Sequence, residues 1–197
     1  MNYRWLGVAC ALLLGACGKA EQSAAPAVAS TPAASTSAAL GMPAPLPDSA
    51  GMARYDGYGD LPFGVDQAVF ARVWGGELKG ASQPGSTCFY KTPKWVRLPA
   101  DFAFMFVDGH FVRYDVGNAK EVAPGGGKVG MTAAQIRALY GARLVEQPHK
   151  YVAGANYLRV TAPQGDAVLV FETDEHGKVE RWRAGVPPQV DYVEGCS

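Results

Sequence analysis

The chain has 197 residues, with 18 lysines and arginines balanced by 18 aspartates and glutamates and a hydrophobic fraction of 48%. No cluster of lysine and arginine runs along it, so the phosphate attraction behind nucleic-acid binding has no source, and a nucleic-acid partner is excluded.

The chain opens with Arg4, the apolar run Trp5 to Leu14 and the small residues Gly15 and Ala16. This pattern predicts a signal peptide over residues 1–16, too short to span a bilayer as a helix. Leu14-Gly15-Ala16-Cys17 resembles the bacterial lipobox. The resemblance implies that Cys17 becomes the first mature residue, with a diacylglyceryl group on its thiol and a further acyl chain such as palmitate on its new amino group. Two or more chains anchor a protein stably where one does so only marginally. Gly18 follows the cysteine in place of a strong sorting signal, which implies the outer membrane, with the folded part in the periplasm.

From Lys19 to Arg54 the chain is mostly Ala, Ser, Thr and Pro, with no aromatic residue and no apolar periodicity. Such a segment cannot bury enough surface to fold and reads as a tether over residues 17–54, lipidated at Cys17. Its r.m.s. reach as a flexible coil is on the order of 30–35 Å. Aromatic and aliphatic residues recur from Tyr55 onward, which predicts one folded domain over residues 55–197.

That domain reads as an internal duplication, with units over about 55–122 and 123–197. Phe63-Gly64-Val65-Asp66 opens the first and Val129-Gly130-Met131-Thr132 the second; Phe70, Val73, Trp74 and Gly75 then match Ile136, Leu139, Tyr140 and Gly141. Asp66 and Thr132 are suited to cap short amphipathic helices, Thr132 with Gln135 at capping-box spacing, and Gly75 and Gly141 to end them. Strands are predicted at Cys88–Tyr90 and Tyr157–Val160. Hairpins follow at Phe102–Val107 with His110–Val116 about Asp108-Gly109, and at Val168–Glu172 with Lys178–Arg183 about the turn Asp174 to Gly177. Phe106 matches Phe171, Arg113 matches Arg181 and Tyr114 matches Trp182. Each helix is expected to cover its own three-stranded sheet, which makes the predicted fold α+β: two tandem helix-on-antiparallel-sheet units forming one domain. Gly125-Gly126-Gly127, without the lysine and hydroxyl pair of a phosphate loop, reads as a hinge between them.

The Gly-Met-Thr opening, the short helical segment ending at glycine and the meander closing on Gly177-Lys178-Val179 resemble the SmpA/OmlA (BamE) and beta-lactamase-inhibitor-protein type of repeat. The match is closest over Gly130 to Arg183 and fainter over Gly64 to Asp115. The resemblance implies helices packed on an antiparallel sheet and a domain that binds other proteins without catalysis.

Cys10 leaves with the signal and Cys17 carries lipid, so Cys88 and Cys196 are the pair available for a disulfide in an oxidising compartment. No nucleophile and base, paired carboxylates or metal-ligand spacing stands out, so no catalytic residue, metal or cofactor is assigned. His110, His149 and His176 fall in turns or loops, and Asp174-Glu175-His176 reads as a polar turn. Interfaces favour tryptophan, tyrosine and arginine, which makes Tyr58, Trp95, Arg113, Arg181, Trp182 and Arg183 the candidate binding surface. The expected function is that of an outer-membrane-anchored periplasmic lipoprotein binding another envelope protein, as inhibitor, immunity factor or assembly accessory. A carbohydrate- or peptidoglycan-binding module is the alternative, with Tyr58, Trp95 and Trp182 stacking on sugar rings.

Overall fold

The computed structural model describes residues 51–196, all within one compact unit. The predicted signal peptide, lipidated Cys17 and the tether as far as residue 50 lie outside the described residues. Among the described residues, regular structure begins at Ala53–Arg54 (β1), two residues ahead of the boundary that composition suggests. β1 pairs with Gly57–Tyr58 (β2), and β2 with Leu61–Pro62 (β3), in a small antiparallel sheet. Glycine is required at position 57, where any Cβ would lie 2.1 Å from the Leu61 carbonyl oxygen.

The helices form where their caps predict. Asp66 accepts hydrogen bonds from the Ala68 and Val69 amides at the start of α1 (Gln67–Trp74). Thr132 and Gln135 close a capping box at the start of α2 (Ala133–Tyr140). Gly75 ends α1 in the left-handed conformation at φ 68°, whereas Gly141 leads α2 into a 3-10 turn over Gly141–Arg143. Thr132→Ala is expected to lower stability by about 1 kcal/mol, read as a shift of the urea midpoint at unchanged slope.

The remaining strands are β4 (Leu78–Lys79), β5 (Cys88–Pro93), β6 (Phe102–Val107), β7 (His110–Val116), β8 (Leu144–Pro148), β9 (Asn156–Thr161), β10 (Val168–Thr173) and β11 (Val179–Gly185). They form one eight-stranded antiparallel sheet in the order β4-β5-β6-β7-β11-β10-β9-β8. Asp108 and Gly109 both take positive φ, 50° and 81°, as a two-residue hairpin turn between twisted strands demands.

This sheet overturns the expected α+β fold. The described residues are mostly β, with two α-helices of eight residues each, and the halves do not build separate helix-on-sheet units. The reason lies at the junction, where β7 and β11 pair edge to edge from Val116 with Trp182 to Arg113 with Gly185. Each half would otherwise leave that strand's backbone groups unpaired; pairing them fuses the halves into one sheet. The repetition itself persists as order along the chain: each half runs from a capped helix into four antiparallel strands. Equivalent bridges tie Asp66 to His110 and Thr132 to Lys178. Phe104 lies opposite Tyr114 as Phe171 lies opposite Trp182, so Phe104, and not Phe106, is the counterpart of Phe171.

Both helices pack on the same face of the sheet. Fully buried Phe70 of α1 meets Phe104, Phe106 and Phe111 edge-on at 4.9–5.0 Å between centroids, and Tyr140 of α2 meets Phe171 at 5.4 Å. The glycine run expected as a hinge is instead packed into this layer. The Gly127 amide donates to the Tyr140 hydroxyl, and a Cβ on Gly127 would lie 2.4 Å from the Phe171 ring. The opposite face is covered by the tail from Val186 to Cys196. Val190 is fully buried there with Tyr157, Val168 and Val170, and the predicted Cys88–Cys196 disulfide pins the end.

Candidate functional site

Side chains alternate across a strand, so the residues between the core positions of β7, β10 and β11 face the tail. They are unusually polar. Asp115 of β7 lies opposite Arg183 of β11, Glu172 of β10 lies opposite Arg181 of β11, and Arg113 sits two residues from Asp115 on the same strand face. Arg113 donates through Nε and Nη2 to Asp115 and through Nη1 to the Gln189 and Tyr192 carbonyls of the tail at 3.0 and 2.7 Å. Arg183 donates through Nε to the Val190 carbonyl at 2.7 Å and through Nη1 to Glu172 at 3.0 Å. The tail is therefore clasped by two buried guanidiniums holding three of its carbonyls.

Glu172 is the hub. Its carboxylate also accepts from His149 Nε2 at 3.1 Å. The amides of Tyr151 and Val152 donate to Nδ1 of the same ring, which assigns the hydrogen to Nε2. His149 stacks on Tyr157 at 4.5 Å. Burial pushes the Glu172 carboxyl up, but the hydrogen bond from His149 and the charges of Arg183 and Arg181 outweigh it and hold it below its ordinary value of 4.5. Burial raises the Tyr90 hydroxyl beside Asp115 far above the ordinary tyrosine range. A carboxyl with a depressed folded value stabilises the fold fully above its unfolded value and loses that contribution as pH falls through the folded one. The melting temperature is accordingly expected to drop below pH 4.5, and to drop less steeply in Glu172→Gln.

Between this network and the tail lies a cavity of about 260 Å³, lined among others by Tyr90, Ala103, Val116, Arg181 and Val193. Arg181 stands at it with a side chain 57% exposed, reaching Glu172 only at 3.9 Å, beyond hydrogen-bond distance.

The six candidate surface residues part company. Tyr58 lies in the core against Phe102, Phe104 and Tyr114, and Trp182 lies fully buried beside Tyr114, its Nε1 sealed without a hydrogen-bond partner among the described residues. Arg113 and Arg183 are spent on the network and the tail, not on an outer surface. Alternation along β7 and β11 correctly places them off the helix-covered core, but the tail then covers them. Arg181 and Trp95 remain exposed. Trp95, 69% exposed, projects from the β5–β6 loop with Leu98, 61% exposed, above a shallow recess formed with Trp74, Gly76, Glu77 and Lys94. Glu77 and Lys94 form an ion pair at its rim.

The other polar residues serve local backbone. Asp174 accepts from the His176 and Lys178 amides, His110 approaches the Gly64 carbonyl oxygen, and among the described residues no three histidines, cysteines or carboxylates gather to hold a metal. Sequence reasoning missed Asp115 and Glu172. Their signal was the cross-strand placement of acid beside arginine, which needs the register of β7 on β11 and of β10 on β11 to be seen.

No family model and no curated protein matches the chain. Among solved structures it is similar to a crystal structure of an extracellular protein containing an SCP domain from Bacillus anthracis strain Ames, at 10% identity over 63% of this chain, with a TM-score of 0.43. The chain covers 44% of that protein, and a likeness at this level carries no argument about fold or function.

Proposed function

We propose that this protein is an outer-membrane lipoprotein, anchored through acylated Cys17 and carrying on its tether a non-catalytic domain that binds another envelope protein. The observation that carries the binding reading is the exposure of both Trp95 and Leu98 on one loop that also carries exposed Lys94 and Arg97, with Glu77 paired to Lys94. Large apolar side chains inside a charged rim are the composition of protein-binding hot spots. The resemblance over Gly130 to Arg183 adds a family whose ligands are proteins. A non-catalytic role is supported by the state of Glu172, whose carboxyl the hydrogen bond from His149 and the charges of Arg183 and Arg181 hold below its ordinary value, so it is not poised to exchange a proton near neutral pH.

The test is a pull-down from detergent-solubilised envelope with the full chain as bait. Recovery of a defined protein, lost when Trp95 and Leu98 are both replaced by alanine, supports the reading. Recovery of no protein, together with saturable retention on peptidoglycan or a glycan array, refutes it.

A further inference from the structure

Arg183 is buried, with a side chain 4% exposed, yet among the described residues its Nη2 donates to nothing. Buried guanidiniums ordinarily satisfy their donors. Trp182 Nε1 is the sealed side-chain atom left without a partner among the described residues, so Arg183 Nη2 is not sealed; its guanidinium lies over the Tyr157 ring at 5.6 Å, and Arg183 lines the cavity under the tail as well as a recess beside Tyr157. Arg181, on the same strand face two residues away, makes no hydrogen bond among the described residues either and lines the same cavity.

Three guanidiniums, of Arg113, Arg181 and Arg183, meet two network carboxylates there, of Asp115 and Glu172. The third carboxylate facing the cavity, Glu194, is paired at the rim with Lys150 at 3.2 Å. Counting Lys150, four cations meet three carboxylates, which leaves one positive charge over. Consistently, burial and the neighbouring Arg113 lower the Arg183 guanidinium from its ordinary value, against the pull of Asp115 and Glu172.

We propose that the cavity under the tail binds a small monocarboxylate through the open donors of Arg181 and Arg183. The planar guanidinium fork matches a carboxylate edge. A single negative charge balances the surplus, whereas a dianion such as phosphate exceeds it. Pro99, Ala103 and Val193 give the remaining wall an apolar character suited to a short aliphatic tail. At about 260 Å³ the space falls below the roughly 300–1,000 Å³ of sites for drug-sized ligands, which restricts the occupant to a small molecule. This inference stands apart from the protein-binding reading and rests on different residues.

The experiment is calorimetric titration of the full chain in detergent with propionate, its neutral isostere propionamide, and inorganic phosphate. Saturable binding of propionate is expected, accompanied by shifts of arginine Nε–H resonances, with weaker binding of the other two. Arg181→Gln removes a charge-assisted contact without touching the clasp on the tail, and is expected to weaken propionate binding about ten- to a hundredfold. Absence of saturable propionate binding, equal binding of propionamide or phosphate, or unchanged affinity in Arg181→Gln would overturn the proposal.

Discussion

Replacing Arg113 with methionine is expected to lower the unfolding free energy by about 3–5 kcal/mol, the range for removing one partner of a buried ion pair. The loss has two physical parts. Asp115, with a side chain 23% exposed, is left as a poorly hydrated carboxylate without the cation that holds it at hydrogen-bond distance. The carbonyls of Gln189 and Tyr192 lose the donor that ties the tail to β7. Changing both members of the pair to apolar residues of similar size removes the orphaned charge, so Arg113→Met with Asp115→Leu is expected to recover much of the loss. Urea denaturation of the two variants checks both statements. A single-variant loss under about 1 kcal/mol would mean that the clasp contributes little.

Replacing both Cys88 and Cys196 with serine is expected to be nearly as costly. The bridge spans 108 residues, and the chain-entropy model assigns about 4.7 kcal/mol to a loop of roughly 100. Measured losses for small exported domains fall at about 2–5 kcal/mol, so the expected result is a loss within that range, seen in thermal and urea unfolding. The location of the effect is as informative as its size. The arginine clasp and buried Val190 still hold the middle of the tail in the variant. Amide exchange should therefore accelerate most at Glu194 and Gly195 and least at Val190. Uniform acceleration from Val186 to Gly195 would show that the tail detaches as one piece.

How far the sequence reached depended on the distance over which each feature is encoded. The helix caps at Asp66 and Thr132, the hairpin about Asp108-Gly109 and the strands at Cys88 and Tyr157 were legible, because a capping side chain, a turn glycine or an alternating run acts on backbone within a few residues. The cysteine pair was legible by elimination among four residues. The edge strands β4 and β8 were not, since Leu78–Lys79 is only two residues long and Leu144–Pro148 is largely exposed without clear alternation. The small sheet at Ala53 to Pro62 was missed for the same reason.

The candidate site shows where local reading stops. Period-two alternation separated Tyr114 and Trp182 from Arg113, Arg181 and Arg183 and so distinguished two sheet faces, but it carries no information about what covers each face. Tyr58 sits among glycines that look like an exposed approach to the domain, yet it is enclosed by Phe102, Phe104 and Tyr114 from distant strands. By itself the sequence determined the caps, the turns, the order of elements in each half and the cysteines available to bridge. Tertiary structure alone decided that β7 would join β11 in a single sheet, and that the tail would bury two arginines while leaving Trp95 and Arg181 in water. Pairing and burial are settled by backbone edges and side chains scores of residues apart, whose meeting depends on the whole chain satisfying its hydrogen bonds and covering its apolar surface at once.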